Sequence, residues 1–199
     1  PEPDEFGAET WLGNSAEYTG NTGVWTHMSA DPELGLVYLP VETPTGDLYG
    51  ADRPGDNLFG NSLVAVDYRT GEMRWYFQLI HHDIWDWDIP TSPILADMPD
   101  GRKLVVQLSK QGIAYVFDRE TGEPVWDIVE RPVPQSDVPG EVTSLTQPFP
   151  LSLLHSSPYL PLPPPPPFLQ PHRCFLQHGR SWKSAHNCDT SRTWQARGH

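Results

Sequence analysis

One pattern, written twice, constrains the fold more than any other feature of the chain. Asp67, Thr70, Gly71 and Trp75 recur at the same spacing as Asp118, Thr121, Gly122 and Trp126, so the two tryptophans lie 51 residues apart. Each copy sits between apolar, β-rich runs: Ser-Leu-Val-Ala-Val before Asp67, and Ala-Tyr-Val-Phe before Asp118. Within each copy the glycine supplies the positive φ of a tight turn, and the aspartate bonds back to the turn backbone. The pattern therefore reads as strand, turn, strand. A period of ~40–50 residues built from short strands marks the blade of a β-propeller. A single four-stranded blade cannot bury both of its faces, and a large indole at a fixed place in each blade packs against the next one. Spacing alone leaves open a second reading, two ordinary Thr-Gly hairpins in a sandwich.

The rest of the body agrees with an all-β chain. Residues 36–41 (Leu-Val-Tyr-Leu-Pro-Val) read as a strand, residues 1–22 as loop, and residues 43–61 as one long loop of the kind that carries function. The 23 prolines and 16 glycines work against long helices. No run of about 18 apolar residues is present to cross a membrane as a helix. Residues 1–150 hold 25 of the 26 acidic residues and only 8 of the 13 basic ones. This acidic body lacks the clustered Lys and Arg that phosphate binding needs, so a nucleic-acid partner is not expected. It suits a cation site. The chain opens on Pro1 with no signal segment, and the true start is expected to lie upstream.

The character changes at residue 150. Residues 151–199 contain five consecutive prolines at 163–167, a single acid, Asp189, and no apolar period. They read as a Pro-rich, disordered tail with polyproline geometry near 161–167. A shift of reading frame near residue 150 is the first explanation, a genuine Pro-rich linker the second. Both cysteines, Cys174 and Cys188, lie in this tail, and their spacing fits no standard zinc knuckle. The expected organisation is a body over 1–150 and a tail over 151–199.

The densest chemical cluster is His81-His82-Asp83-Ile84-Trp85-Asp86-Trp87-Asp88. It follows the strand expected over 75–79, where its side chains would line one end of a sheet. If the strand alternation continued, Trp85 and Trp87 would share one face, and Asp86 and Asp88 the other. A carboxylate beside aromatic rings and a bound cation suits general-base work. The plainer reading has the aspartates bonding to turn backbone and the tryptophans filling core. Imidazoles and acids packed this closely along a strand would face opposite ways, which argues against a single zinc site.

The string His-His-Asp-Ile-Trp-Asp, followed by Asp-Ile-Pro, closely resembles the active-site segment of the quinoprotein glucose and alcohol dehydrogenases. The two Thr-Gly…Trp units resemble that family's tryptophan docking repeat. The resemblance runs over residues 7–150. It implies about two to three blades of an eight-bladed propeller, a partial β-propeller that lacks its remaining blades. It also implies pyrroloquinoline quinone and calcium as cofactors, and a sugar (glucose-type) or primary alcohol as substrate. Electrons would pass to an external quinone or cytochrome acceptor, or to a domain outside this chain, since the chain has no Cys-x-x-Cys-His for haem. The implied location is the periplasm or the periplasmic face of the inner membrane.

The resemblance also assigns roles. Asp86 matches the catalytic base and lies near the calcium. Lys110, in Ser-Lys-Gln-Gly, matches the basic residue that contacts the quinone oxygens. Trp25, in Gly-Val-Trp, matches the indole forming the floor under the quinone. Many members carry an Asn calcium ligand where this chain has Thr43, and a one-residue shift brings Glu42 there. Glu42 and Thr43 are therefore the expected replacement ligands. A further glutamate ligand of the family falls on an earlier blade, outside this chain. A non-catalytic propeller scaffold for protein binding is the alternative function, and the 199-residue chain by itself is expected to be inactive, with open sheet edges.

Overall fold

The computed structural model describes residues 1–151 and the backbone of residues 175–178 and 181–184. Two compact units are present, Pro1–Tyr159 and Leu160–His199. Among the described residues no helix is long and apolar enough to cross a membrane.

The first unit is built of antiparallel sheets in chain order. β1 (Ser29–Asp31), β2 (Leu36–Pro40), β3 (Ser62–Asp67) and β4 (Met73–Gln78) form a four-stranded meander. Register places Tyr38 opposite Ala65 and Ala65 opposite Trp75, and all three are buried. β5 (Ile94–Asp97), β6 (Lys103–Leu108) and β7 (Ala114–Asp118) repeat the meander, with its fourth strand reduced to a bridge between Phe117 and Pro124. β8 (Ile128–Pro132) and β9 (Thr146–Pro150) form a two-stranded ribbon. One full blade, one nearly full blade and a ribbon thus match the expected partial propeller.

The repeated turns have the expected chemistry. Gly71 and Gly122 both have φ +78°. Asp67 Oδ1 accepts the N–H of Arg69, and Asp118 Oδ1 accepts those of Glu120 and Thr121. The first two blades meet through Trp75 and Phe77 of β4, whose rings lie 6.0 and 5.1 Å from that of Phe117 on β7. The Trp75 Nε1–H and the Tyr38 hydroxyl both donate to the carbonyl of Arg119, at 3.2 and 2.8 Å. The Arg119 guanidinium in turn bridges Asp31 (2.7 Å) on the first blade and Asp97 (2.8 Å) on its own. Trp75 therefore docks one blade onto the next. Trp126, its repeat counterpart, is half exposed.

Three local expectations change. The segment 1–22 holds two short 3-10 helices, Ala8–Thr10 and Leu12–Glu17, joined around the buried Trp11, whose Nε1–H donates to the carbonyl of Leu58. Short 3-10 turns leave no apolar period for a sequence reading to find. The segment 81–88 is loop and not a continuing strand, because β4 ends at Gln78 and both His82 and Asp86 take positive φ. In the tail, β10 (Phe175–His178) pairs antiparallel with β11 (Ser181–Ser184), a hairpin where no regular structure was expected. The proline run 163–167 and the cysteines lie outside the described residues.

Candidate functional site

The site is the loop that leaves β4, pinned from three sides. Gln147, buried on β9, exchanges two hydrogen bonds with the backbone of His81: it accepts the N–H at 2.9 Å and donates to the carbonyl at 2.6 Å. His82 is buried with its Nδ1 on the carbonyl of Gly55. Burial holds its imidazole below the usual range, which the Gly55 bond only partly offsets. Arg53, wholly buried inside the long loop 43–61, donates to the carbonyl of Asp83, to those of Thr45 and Gly46, and to Asn57 Oδ1. The 43–61 loop is thus folded around a guanidinium and attached to the site loop.

Asp83 sits at the bottom of this arrangement, 1% exposed. Its Oδ1 accepts the N–H of Trp85 at 2.9 Å. Its Oδ2 accepts the N–H of Trp87 at 2.7 Å, the hydroxyl of Thr43 at 2.5 Å and the amide of Asn61 at 3.1 Å. Burial pushes its carboxyl up, and these four donors pull it back without fully cancelling the shift.

Asp86 and Asp88 point to one cation. Lys110 Nζ lies 3.0 Å from Asp86 Oδ2 and 3.0 Å from Asp88 Oδ2. Desolvation alone would lower the Lys110 pKa, but the two carboxylates outweigh it and hold the ammonium protonated. Asp88 is buried, and its Oδ1 accepts the N–H of Thr43 at 2.8 Å. Burial would raise its pKa, but the Thr43 N–H and Lys110 lower it overall. Asp86 is the open member, with 44% of its side chain exposed. Trp85 and Trp87 stack at 4.6 Å between ring centroids. The alternation expected of a strand is absent, yet its consequence survives: the two indoles pair, and the two acids share Lys110.

The other expected site residues fall as follows. Trp25 is 57% exposed and has no ring partner among the described residues, so it is not a core tryptophan. The neighbouring Thr26 donates to the carbonyl of Pro90, just past the site loop. Glu42 Oε1 accepts the N–H of Gly23 at 3.0 Å, two residues before Trp25. Thr43 is buried, its hydroxyl donating to Asp83 and accepting from Asn61. A continuous hydrogen-bonded chain therefore runs from Thr43 through Asp88 and Lys110 to Asp86. Trp25 has no direct bond to it. The residues that sequence reasoning left without a role are Asp83, Asn61 and Arg53. Asp83 was visible as one acid among three, but nothing local marks it as the buried one.

The chemistry present suits a planar, electron-accepting ring: an exposed indole, an ammonium, and an open carboxylate. For a hard cation the fit is partial. Asp86 and Glu42 offer carboxylate oxygens, but among the described residues no three acid or imidazole groups gather into a metal cluster.

Comparison with known proteins gives the class. The family described as PQQ, "Glucose/ethanol/alcohol dehydrogenase, beta-propeller domain", matches residues 1–163, and the chain belongs to it. The family's cofactors are pyrroloquinoline quinone and a metal ion. The chain is 39% identical over 133 residues to the quinate/shikimate dehydrogenase (quinone) of Acinetobacter baylyi, a match covering 64% of this chain and 16% of that protein. Among solved structures it resembles a quinohemoprotein alcohol dehydrogenase from Pseudomonas putida HK5, at 35% identity and TM-score 0.55 over 64% of this chain and 20% of that one. It also resembles a europium-containing methanol dehydrogenase, at 30% identity and TM-score 0.53 over 60% and 22% of the respective chains. The chain thus spans about a fifth or less of the relatives it matches.

Proposed function

We propose that this chain is the part of a quinoprotein dehydrogenase that carries the general base, and that the whole protein oxidises a primary alcohol or a sugar of glucose type. The observation that carries the reading is the pairing of Asp86 with Lys110 at 3.0 Å in an accessible loop, with Asp86 the more exposed of the two acids on that ammonium. When bound, pyrroloquinoline quinone would supply a two-electron acceptor and calcium a Lewis acid, the chemistry that this chain's own residues would serve. Asp86 takes the hydroxyl proton of the substrate. Lys110, held cationic by Asp86 and Asp88, stabilises negative charge developing on the ring oxygens. Trp25 offers its exposed face as the stacking floor. Glu42 and Asp86 would be the oxygen donors to a calcium ion, and Thr43, next to Glu42 in the chain, is tied to Asp83 and Asp88.

The relatives act on substrates as different as quinate or shikimate and methanol, by their names. The leaning towards glucose rests on the Asp-Ile-Pro after Trp87. The electron acceptor would be a quinone or a cytochrome, in the periplasm or at the membrane facing it. The 199-residue chain by itself does not turn over, because an axial site needs the closed ring of blades. The test is dye-linked oxidation of glucose and of primary alcohols by the whole protein, with and without added quinone and calcium. Activity that requires both supports the reading. No activity together with no quinone binding supports the non-catalytic scaffold instead.

A further inference from the structure

We propose that Asp83 is the positioning residue of the site: its buried carboxylate, accepting the backbone N–H groups of Trp85 and Trp87, fixes the intervening Asp86 in a left-handed conformation and so aims the Asp86 carboxylate at Lys110. The inference rests on Asp86 being the base, and it adds a residue to which no role has been given.

The geometry is specific. Asp86 has φ +56°, a region that residues with a β-carbon seldom adopt without support from their surroundings. Asp83 holds the N–H of Trp85, in the peptide one residue before Asp86's own, and the N–H of Trp87, in the peptide that follows Asp86, one on each carboxylate oxygen, at 2.9 and 2.7 Å. Asp83 is itself fixed. Its Oδ2 takes the Thr43 hydroxyl and the Asn61 amide, and its carbonyl takes Arg53. At 1% exposure Asp83 touches neither solvent nor substrate, so any influence on chemistry passes through the loop it holds. A buried acid is a costly way to fill space, and an apolar side chain of similar volume would serve a purely structural role as well or better. What the carboxylate provides is two acceptors at a fixed separation. The same two bonds bring Trp85 and Trp87 into their stack, on either side of Asp86 in the chain.

The test uses the variants Asp83→Asn, Asn61→Gly and Asp86→Asn. Asp83→Asn keeps the shape but turns an N–H₂ towards donors that need an acceptor. Asn61→Gly removes one donor to Asp83 at a position with φ +51°, which glycine accepts without strain, and it serves where Asp83→Asn does not fold. The first readout is amide hydrogen exchange over 84–88 in the cofactor-free protein. Exchange at Trp85 and Trp87 should rise about tenfold or more in Asp83→Asn, and less in Asn61→Gly. The second is steady-state oxidation by the protein loaded with quinone and calcium. Here kcat should fall about 10- to 100-fold in Asp83→Asn and about threefold in Asn61→Gly, with KM little changed. Combined with Asp86→Asn, either variant should cause no further loss in kcat, because the groups act as one unit.

Unchanged exchange with unchanged kcat in a folded variant would overturn the proposal. So would losses that add to those of Asp86→Asn. If Asp86→Asn keeps full activity, the base assignment fails, and the exchange result alone then decides whether Asp83 holds the loop.

Discussion

The indole of Trp75 occupies the space that a side chain at residue 122 would need: a Cβ on Gly122 would lie 2.6 Å from Trp75 Cδ2. The repeated Thr-Gly is therefore more than a turn. In the second blade it is the surface on which the first blade's tryptophan rests, next to the carbonyl of Arg119 that accepts the indole N–H. Gly71 has the same φ of +78° but nothing within 4 Å of the position of its absent Cβ.

That pair separates backbone strain from packing. Gly71→Ala should cost about 1 kcal/mol, the price of a left-handed residue. Gly122→Ala should cost about 2–4 kcal/mol, because overpacking against the indole is added. Urea unfolding of the two variants measures both. Equal losses would mean that Trp75 yields freely.

Much of this was legible in the sequence, for a physical reason. Turn glycines, β-rich runs and docking tryptophans are local signals, and their repetition made the blades visible. The His-His-Asp-Ile-Trp-Asp string marked the candidate site, and Asp86 lies 3.0 Å from Lys110. What escaped depends on contacts between distant segments. Gln147 grips His81 across 66 residues, and Arg53 reaches the carbonyl of Asp83 across 30. Neither leaves a period or motif. The strand alternation expected through Trp85 and Asp86 failed because Asp83 bends the loop back on itself, an arrangement set by burial. Trp126 shows the other side of the repeat: the same residue in the same unit stays half exposed where no turn is seated on it among the described residues.

Arg119 joins the first two blades through charge. Its guanidinium and Asp31 are both nearly inaccessible, whereas Asp97 is 75% exposed. Arg119→Ala should therefore destabilise by about 3–5 kcal/mol by leaving Asp31 buried and unpaired. Asp97→Ala should cost less than about 1 kcal/mol. Denaturant titration distinguishes the two.

The same aspartate sets an acid limit on the fold. Burial would raise the Asp31 carboxyl, but the N–H groups of Leu34 and Glu33 and the Arg119 guanidinium outweigh it and leave its pKa below the usual 3.8. Asp88 is lowered in the same sense. A carboxylate with a depressed folded pKa stabilises fully above its unfolded value, and loses that contribution as pH falls towards the folded one. The stability difference between wild type and Asp31→Asn should thus be constant near neutrality and shrink below about pH 4. Thermal unfolding across that range tests the sign.

Lys110 is expected to matter for rate more than for binding. On the proposed role, Lys110→Met should lower kcat about 100-fold by removing the ammonium shared by Asp86 and Asp88. Lys103→Met, which removes a surface pair with Glu33, should leave kcat unchanged. Parallel kinetics on both variants checks the contrast.

The base assignment meets its most direct test in Asp86→Asn of the quinone- and calcium-loaded protein, followed by single-turnover reduction of the cofactor with substrate in excess. A fall in the reduction rate of about 10²–10⁴-fold, with the quinone still bound by its absorbance, is the expected result. A rate within about threefold of wild type would show that another group takes the proton and that the Asp86–Lys110 pair is not the reacting centre.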